Sequence, residues 1–262
     1  TPEFALEVAK AGGLPFLALS LLSEARAERL LRDTQALLGE LPWGVGVLGF
    51  APPELRATHF ELIKRFKPSA ALIAGGRPSQ ARPLEETGIP TYLHAPSPAL
   101  LSGFVKAGAR RFIFEGSECG GHIGPSTSFS LWSAQLSALE RLIQEGALPD
   151  PERLELWWAG GLHDATSVAG VRALSAGLAA RGARVGALMG TAYLFTREAV
   201  SAGAILEEYQ RVALACERTE ELTSSEVRLI DHYEERPTPD WVAAIERVED
   251  AQASAEALLA NL

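Results

Sequence analysis

Short apolar runs alternate with longer amphipathic stretches along most of the chain. Seven runs rich in β-branched, aromatic or other apolar residues fall at 15–20, 43–48, 70–74, 91–95, 111–115, 154–159 and 184–189. Most are apolar at both alternate positions, as in Ala71-Leu72-Ile73-Ala74, so they predict strands buried on both faces rather than one. Helical periodicity occupies 1–11, 24–38, 52–66, 98–108, 128–145, 165–181 and 197–217, and the third run is followed only by the short stretch 80–87. Strands regularly followed by helices make βα units and a parallel sheet. The pattern predicts an α/β fold of the (β/α)8 TIM-barrel type. Seven strands are one short of closure, and the chain opens on a helix where a strand should come first, so strand one is read as missing. An open doubly wound sheet is the competing architecture, since it tolerates seven strands.

The character changes after residue 218. Glu220-Glu221, Glu234-Glu235 and Pro237-Thr238-Pro239 precede an amphipathic stretch over 240–259. The expected organisation is a barrel over 1–218 and a C-terminal helical extension over 219–262, packed on or beside it.

Composition narrows the partners. The 262 residues are 47% hydrophobic and 22% charged, which suits a chain with a large core and excludes a disordered one. A net charge of −9 argues against nucleic acid or an anionic membrane, which require clustered basic surface. No apolar run reaches the roughly 18–20 residues that cross a bilayer, and the first residues lack a signal-peptide pattern. A cytoplasmic protein is expected. Its two cysteines, Cys119 and Cys216, lie in unlike contexts, which argues against a disulfide framework.

Candidate chemistry concentrates at strand ends, where barrel enzymes place their active sites. The literal G-x-G-x-x-G at Gly44-Val45-Gly46-Val47-Leu48-Gly49 lies inside a strand and is followed by Phe50-Ala51-Pro52-Pro53. It therefore lacks the strand-to-helix context of a dinucleotide fingerprint. Those glycines serve either close backbone packing or space for a planar ligand. Ala159-Gly160-Gly161 and Met189-Gly190-Thr191 end the sixth and seventh runs, where the last βα loops of barrels offer backbone N–H groups to a phosphate. The richest segment is Glu115-Gly116-Ser117-Glu118-Cys119-Gly120-Gly121-His122-Ile123-Gly124. Its glycines let backbone approach a ring system, and His122, flanked by residues that give it no packing reason, is the candidate acid–base group. Cys119 is read as a small buried thiol, since a nucleophilic cysteine needs a positioned base. Cys119, His122, His94 and His163 all sit near strand ends, but no pair has a regular ligand spacing and no metal is expected.

Three motifs carry a resemblance. Phe112 to Pro125 with its Glu-Cys-Gly-Gly-His-Ile-Gly-Pro ending, Trp157-Trp158-Ala159-Gly160-Gly161-Leu162, and Leu188-Met189-Gly190-Thr191-Ala192-Tyr193-Leu194 resemble the nitronate monooxygenase (2-nitropropane dioxygenase-like) family. Its relatives include FMN-dependent enoyl-acyl-carrier-protein reductases. The wording looks most like the flavin domains of polyketide and polyunsaturated fatty acid synthases. The resemblance runs from residue 1 to about 216, with Cys119 replacing the family's usual alanine. It implies an FMN oxidoreductase in which His122 is catalytic and Glu115, Gly120, Gly121, Gly160, Gly161, Gly190 and Thr191 line the cofactor. NAD(P)H is the implied electron donor. The implied substrate is an enoyl thioester on an acyl carrier protein, or a small molecule such as an alkyl nitronate. A homodimer or a place in a multidomain synthase is the implied assembly, and a domain that has lost its chemistry is the third reading. The first strand, which the family lays against the flavin with a Pro-Met-type segment, has no counterpart here.

Overall fold

The computed structural model describes residues 1–120 and 123–216. Gly121, His122 and the predicted extension over 219–262 lie outside the described residues. Residues Thr1–Leu214 form one compact unit, which holds the whole sheet.

Seven strands form one parallel sheet in strictly sequential order: β1 (Phe16–Ala18), β2 (Gly44–Leu48), β3 (Ala70–Ala74), β4 (Thr91–His94), β5 (Arg111–Glu115), β6 (Glu155–Ala159) and β7 (Arg184–Leu188). All lie within the expected runs. A doubly wound sheet would reverse its strand order at a switch point, and this order does not reverse. The sheet also curls. β1 and β6 are five strands apart, about 24 Å if the sheet were flat, yet the rings of Phe16 and Trp157 meet edge-on at 5.5 Å. The architecture is a TIM-like α/β barrel, open between β1 and β7 among the described residues.

From β2 to β6 both faces of the sheet carry apolar side chains and are largely buried, while β7 stays partly exposed. Toward the helices point Val45, Val47, Ile73, Leu93, Phe112, Phe114, Leu156 and Trp158, all with 2% exposure or less. A second, smaller cluster fills the lumen and includes Ala70, Tyr92 and Ile113, with Phe16, Leu72 and Trp157 packed against it. Tyr92 stacks on Trp157 at 3.8 Å. Below them, Glu155 receives hydrogen bonds from the Tyr92 hydroxyl (2.7 Å), Arg111 (2.8 Å) and Arg184 (2.5 Å). This polar plug closes the N-terminal end of the lumen. Burial opposes the charge on Glu155, but the Tyr92 hydroxyl and the two guanidinium groups hold its carboxyl below the usual range.

The helices are α1 (Pro2–Lys10), α2 (Glu24–Leu38), α3 (Pro53–Phe66), α4 (Pro78–Glu85), α5 (Pro98–Lys106), α6 (Ser128–Gln144), α7 (Ala165–Leu174), α8 (Ala176–Ala179), α9 (Arg197–Ser201) and α10 (Glu207–Ala215). α1 starts as the sequence implies, with the Thr1 hydroxyl accepting from the Phe4 amide and proline at the first helical position. Two helices expected to be continuous are broken. The stretch 165–181 divides at Ser175, which stays in the right-handed region at φ −88° and ψ 0° and whose hydroxyl donates to the Val171 carbonyl. The stretch 197–217 divides at Gly203, whose φ of +66° ends α9. The short helix after β3 begins at Pro78, two residues before its expected start. Among the described residues no helix is long and apolar enough to cross a membrane.

Candidate functional site

The C-terminal ends of β4 to β7 bring most of the candidates together. Because side chains alternate along a strand, the registers His94↔Ile113 and Ile113↔Trp157 place His94, Ile113, Glu115, Trp157 and Leu188 on the lumen side. His94 ends β4 and Glu115 ends the neighbouring β5. Their side chains meet, Nδ1 of His94 lying 2.7 Å from Oε2 of Glu115, at 20% and 16% side-chain exposure. A carboxylate only accepts, so Nδ1 carries the proton. The other ring nitrogen, Nε2, is buried and has no hydrogen-bond partner among the described residues.

The loop after β5 folds back over this pair. Ser117 N–H donates to the Ser126 carbonyl and Cys119 N–H to the Gly116 carbonyl. The Cys119 thiol is half-buried and hydrogen-bonds Glu115; burial and then the Glu115 charge push it up to about 12. A thiol so disfavoured as thiolate is no nucleophile at neutral pH, which agrees with its reading as a small packing residue. Glu118 turns the other way, accepting from the Ser128 amide (2.6 Å) and hydroxyl (2.5 Å) at the start of α6. Burial opposes its charge, yet the Ser128 donors hold its carboxyl below the usual range, and an anion at a helix N-terminus is favourable.

Ser128 also explains two glycines. A Cβ on Gly116 would fall 2.2 Å from Ser128 Oγ, and one on Gly160 would fall 1.9 Å from the same atom. Gly161 and Gly190 differ. Gly161 has φ +70°, but an added Cβ would meet nothing closer than 3.9 Å, and a Cβ on Gly190 would meet nothing within 4 Å. The backbone N–H groups of Gly161, Gly190 and Thr191 have no acceptor among the described residues. Thr191 opens a 3₁₀ turn, Thr191–Phe195. Gly120 is exposed with open space around it.

A cavity of about 750 Å³ opens in the lumen and reaches the β7 end at Leu188 and Met189; the loop glycines themselves do not line it. Its inner wall includes Phe16, Gly46, Leu72, His94 and Trp157; its outer part passes between β1 and β7 to Phe4, Val8 and Tyr193. The two strand glycines prove to have separate roles. Gly44 makes room for the Phe16 ring, which lies 2.6 Å from where its Cβ would be, while Gly46 opens onto the cavity. His163 bonds the Gly161 carbonyl through Nδ1 at 2.8 Å and is exposed, well outside the His94–Glu115–Cys119 group.

Sequence reasoning placed His94 only among conceivable metal ligands and missed its pairing with Glu115. The signal was present: two strand-end residues on adjacent strands with lumen-facing parity. It missed Ser128 altogether, because nothing local marks a serine 32 residues before Gly160 as its neighbour.

No family model matches the chain, and no curated protein matches it in sequence. Solved structures do. FabK from Thermotoga maritima is 24% identical with a TM-score of 0.60, over 76% of this chain and 56% of that one, and its M276A mutant gives 24% and 0.59, over 76% and 59%. Nitroalkane oxidase from Streptomyces ansochromogenes is 21% identical with a TM-score of 0.58, over 75% of this chain and 63% of that one. The chain thus spans less than two thirds of the length of each. Likeness at this level is one of scaffold: the chain has the α/β-barrel fold of FabK and of this nitroalkane oxidase.

Proposed function

We propose that the chain is an FMN-dependent oxidoreductase that reduces an enoyl thioester in the lumen cavity. One observation carries the reading. Two glycine loops end the adjacent strands β6 and β7; the N–H groups of Gly161, Gly190 and Thr191 have no acceptor among the described residues, space is open on the Cβ side of Gly161 and Gly190, and Leu188 and Met189 next to them line a largely apolar cavity of about 750 Å³. That volume lies within the roughly 300–1,000 Å³ of ligand sites, and barrel enzymes bind phosphate at this corner. The residues fit FMN. Gly160, Gly161, Gly190 and Thr191 would hold the phosphate through their backbone, and Gly120 and Gly121 belong to the loop that would cover the cofactor. The aromatic wall of Phe16 and Trp157, with the bare Gly46, suits a planar ring. The fold likeness to FabK and the sequence resemblance point the same way.

When bound, the flavin supplies hydride transfer, with NAD(P)H as the donor. The chain's own residues would bind, orient and manage protons. The apolar lumen excludes water and strengthens polar contacts to a thioester oxygen as it gains charge. His122, from its sequence context, would stabilise that charge or protonate the product. Delivery on an acyl carrier protein, within a multidomain synthase, completes the reading. The test is NAD(P)H-driven reduction of a 2-enoyl thioester by the flavin-loaded chain: turnover lost in His122→Ala supports it, and normal turnover in that variant rejects it. The likeness to nitroalkane oxidase favours a second reading, oxidation of an alkyl nitronate. That activity needs oxygen and no NAD(P)H, so the electron donor separates the two.

A further inference from the structure

We infer that His94 is a second acid–base residue of the lumen site, accepting a proton at Nε2 from an acidic ligand, and that Glu115 is the residue that positions it. The inference rests on reading the lumen cavity as the reaction chamber. Three observations support it. His94 lines the cavity. Its Nδ1 is tied to Glu115 at 2.7 Å, which fixes the ring; in the neutral imidazole the lone pair is then on Nε2. That Nε2 is buried and has no partner among the described residues.

Burying an acceptor without a partner costs free energy, and such a group in a folded core calls for an explanation. A core imidazole kept only for packing would satisfy both nitrogens or be replaced by an apolar ring of the same shape at less cost. An imidazole held by a carboxylate on one nitrogen and open on the other is the arrangement that moves protons. The carboxylate sets the tautomer and stabilises the imidazolium once the proton arrives. The step balances simply. The ligand's O–H or acidic C–H bond breaks, its proton forms the Nε2–H bond, the electron pair stays on the ligand, and the Nδ1–H remains hydrogen-bonded to Glu115. The surroundings suit a planar, mostly apolar acid: Phe16, Leu72 and Trp157 offer no competing charge, and the nearest thiol, Cys119, stays protonated.

4-Nitrophenol tests this without flavin or turnover, because it is planar, acidic and changes its visible absorption on ionisation. Titrated into the full chain, it should bind saturably with its absorption shifted toward the phenolate. Glu115→Gln should lose most of that shift, and His94→Ala should weaken binding about tenfold or more, as expected for losing a charge-assisted hydrogen bond. His94→Gln, which fills the space and offers a hydrogen bond but cannot take a full proton, should bind the phenol and leave it neutral. Far-ultraviolet circular dichroism confirms that each variant is folded, and Glu115→Gln and His94→Gln decide the matter if His94→Ala does not fold. A parent that binds no 4-nitrophenol, or variants that bind and ionise it as the parent does, would overturn the inference. Because flavin is absent, failure here is separate from failure of the enoyl-reductase reading.

Discussion

Gly160 is the residue where the packing argument can be put most sharply to the test. Its φ is +114°, a conformation that costs an L-residue about 1–3 kcal/mol. An alanine Cβ there would also stand 1.9 Å from Ser128 Oγ and 3.2 Å from Ser128 Cβ. The hydroxyl can move only by giving up its 2.5 Å bond to Glu118, a charged acceptor whose loss costs about 1.5–3 kcal/mol. Gly160→Ala should therefore destabilise the barrel by about 3–5 kcal/mol, lowering Tm by about 6–20 °C for a unit of this size. Urea and thermal unfolding followed by circular dichroism measure it. Ser128→Gly already gives up the Glu118 bond and removes the clash, so in that background Gly160→Ala should cost only the backbone strain, about 1–3 kcal/mol. Gly161→Ala, strained in φ but free of any contact closer than 3.9 Å, should lose only about 1–2 kcal/mol. A Gly160→Ala protein within about 0.5 kcal/mol of the parent would refute the reasoning.

Glu155→Gln should destabilise the chain by about 2–3 kcal/mol at pH 7, because Arg111 loses its buried partner while exposed Arg184 tempers the loss. The folded carboxyl lies below its ordinary value of 4.5, so its contribution is complete above that pH and fades as pH falls through the folded value; the gap between parent and variant should close in acid, and a gap independent of pH would contradict the assignment. Cys119, with its thiol pushed up to about 12, should resist iodoacetamide at pH 8 while the exposed Cys216 reacts. Mass spectrometry showing equal labelling of the two would contradict the described environment.

The sheet was legible because most of its strands are apolar on both faces, a signal strong enough to set the positions of all seven described strands. Helix ends were less so. Ser175 and Gly203 divide helices whose periodicity runs on past them, and at Ser175 the division is only a local change of ψ to 0° that no pattern reveals. The glycines illustrate the limit most clearly. Gly44, Gly116 and Gly160 owe their identity to Phe16 or Ser128, neighbours made by folding, whereas Gly161 and Gly190 face open space. The His94–Glu115 pair lay within reach of the period-2 rule, yet His94 drew less notice than His122 because its sequence neighbours carry no motif.

The proposed FMN phosphate site is the pair of loops after β6 and β7. Gly161→Val places a branched side chain into the open space on the Cβ side of this loop residue, at a φ that valine strains to adopt. Titration of FMN into the flavin-free chain, followed by quenching of flavin fluorescence, should give saturable binding to the parent and binding weakened about tenfold or more in a folded Gly161→Val protein, the loss expected for charge-assisted bonds to the phosphate. Riboflavin, which lacks the phosphate, should bind the parent more weakly than FMN and should distinguish the two proteins less. Equal FMN affinity in parent and variant, or a parent that does not bind FMN, would contradict the account.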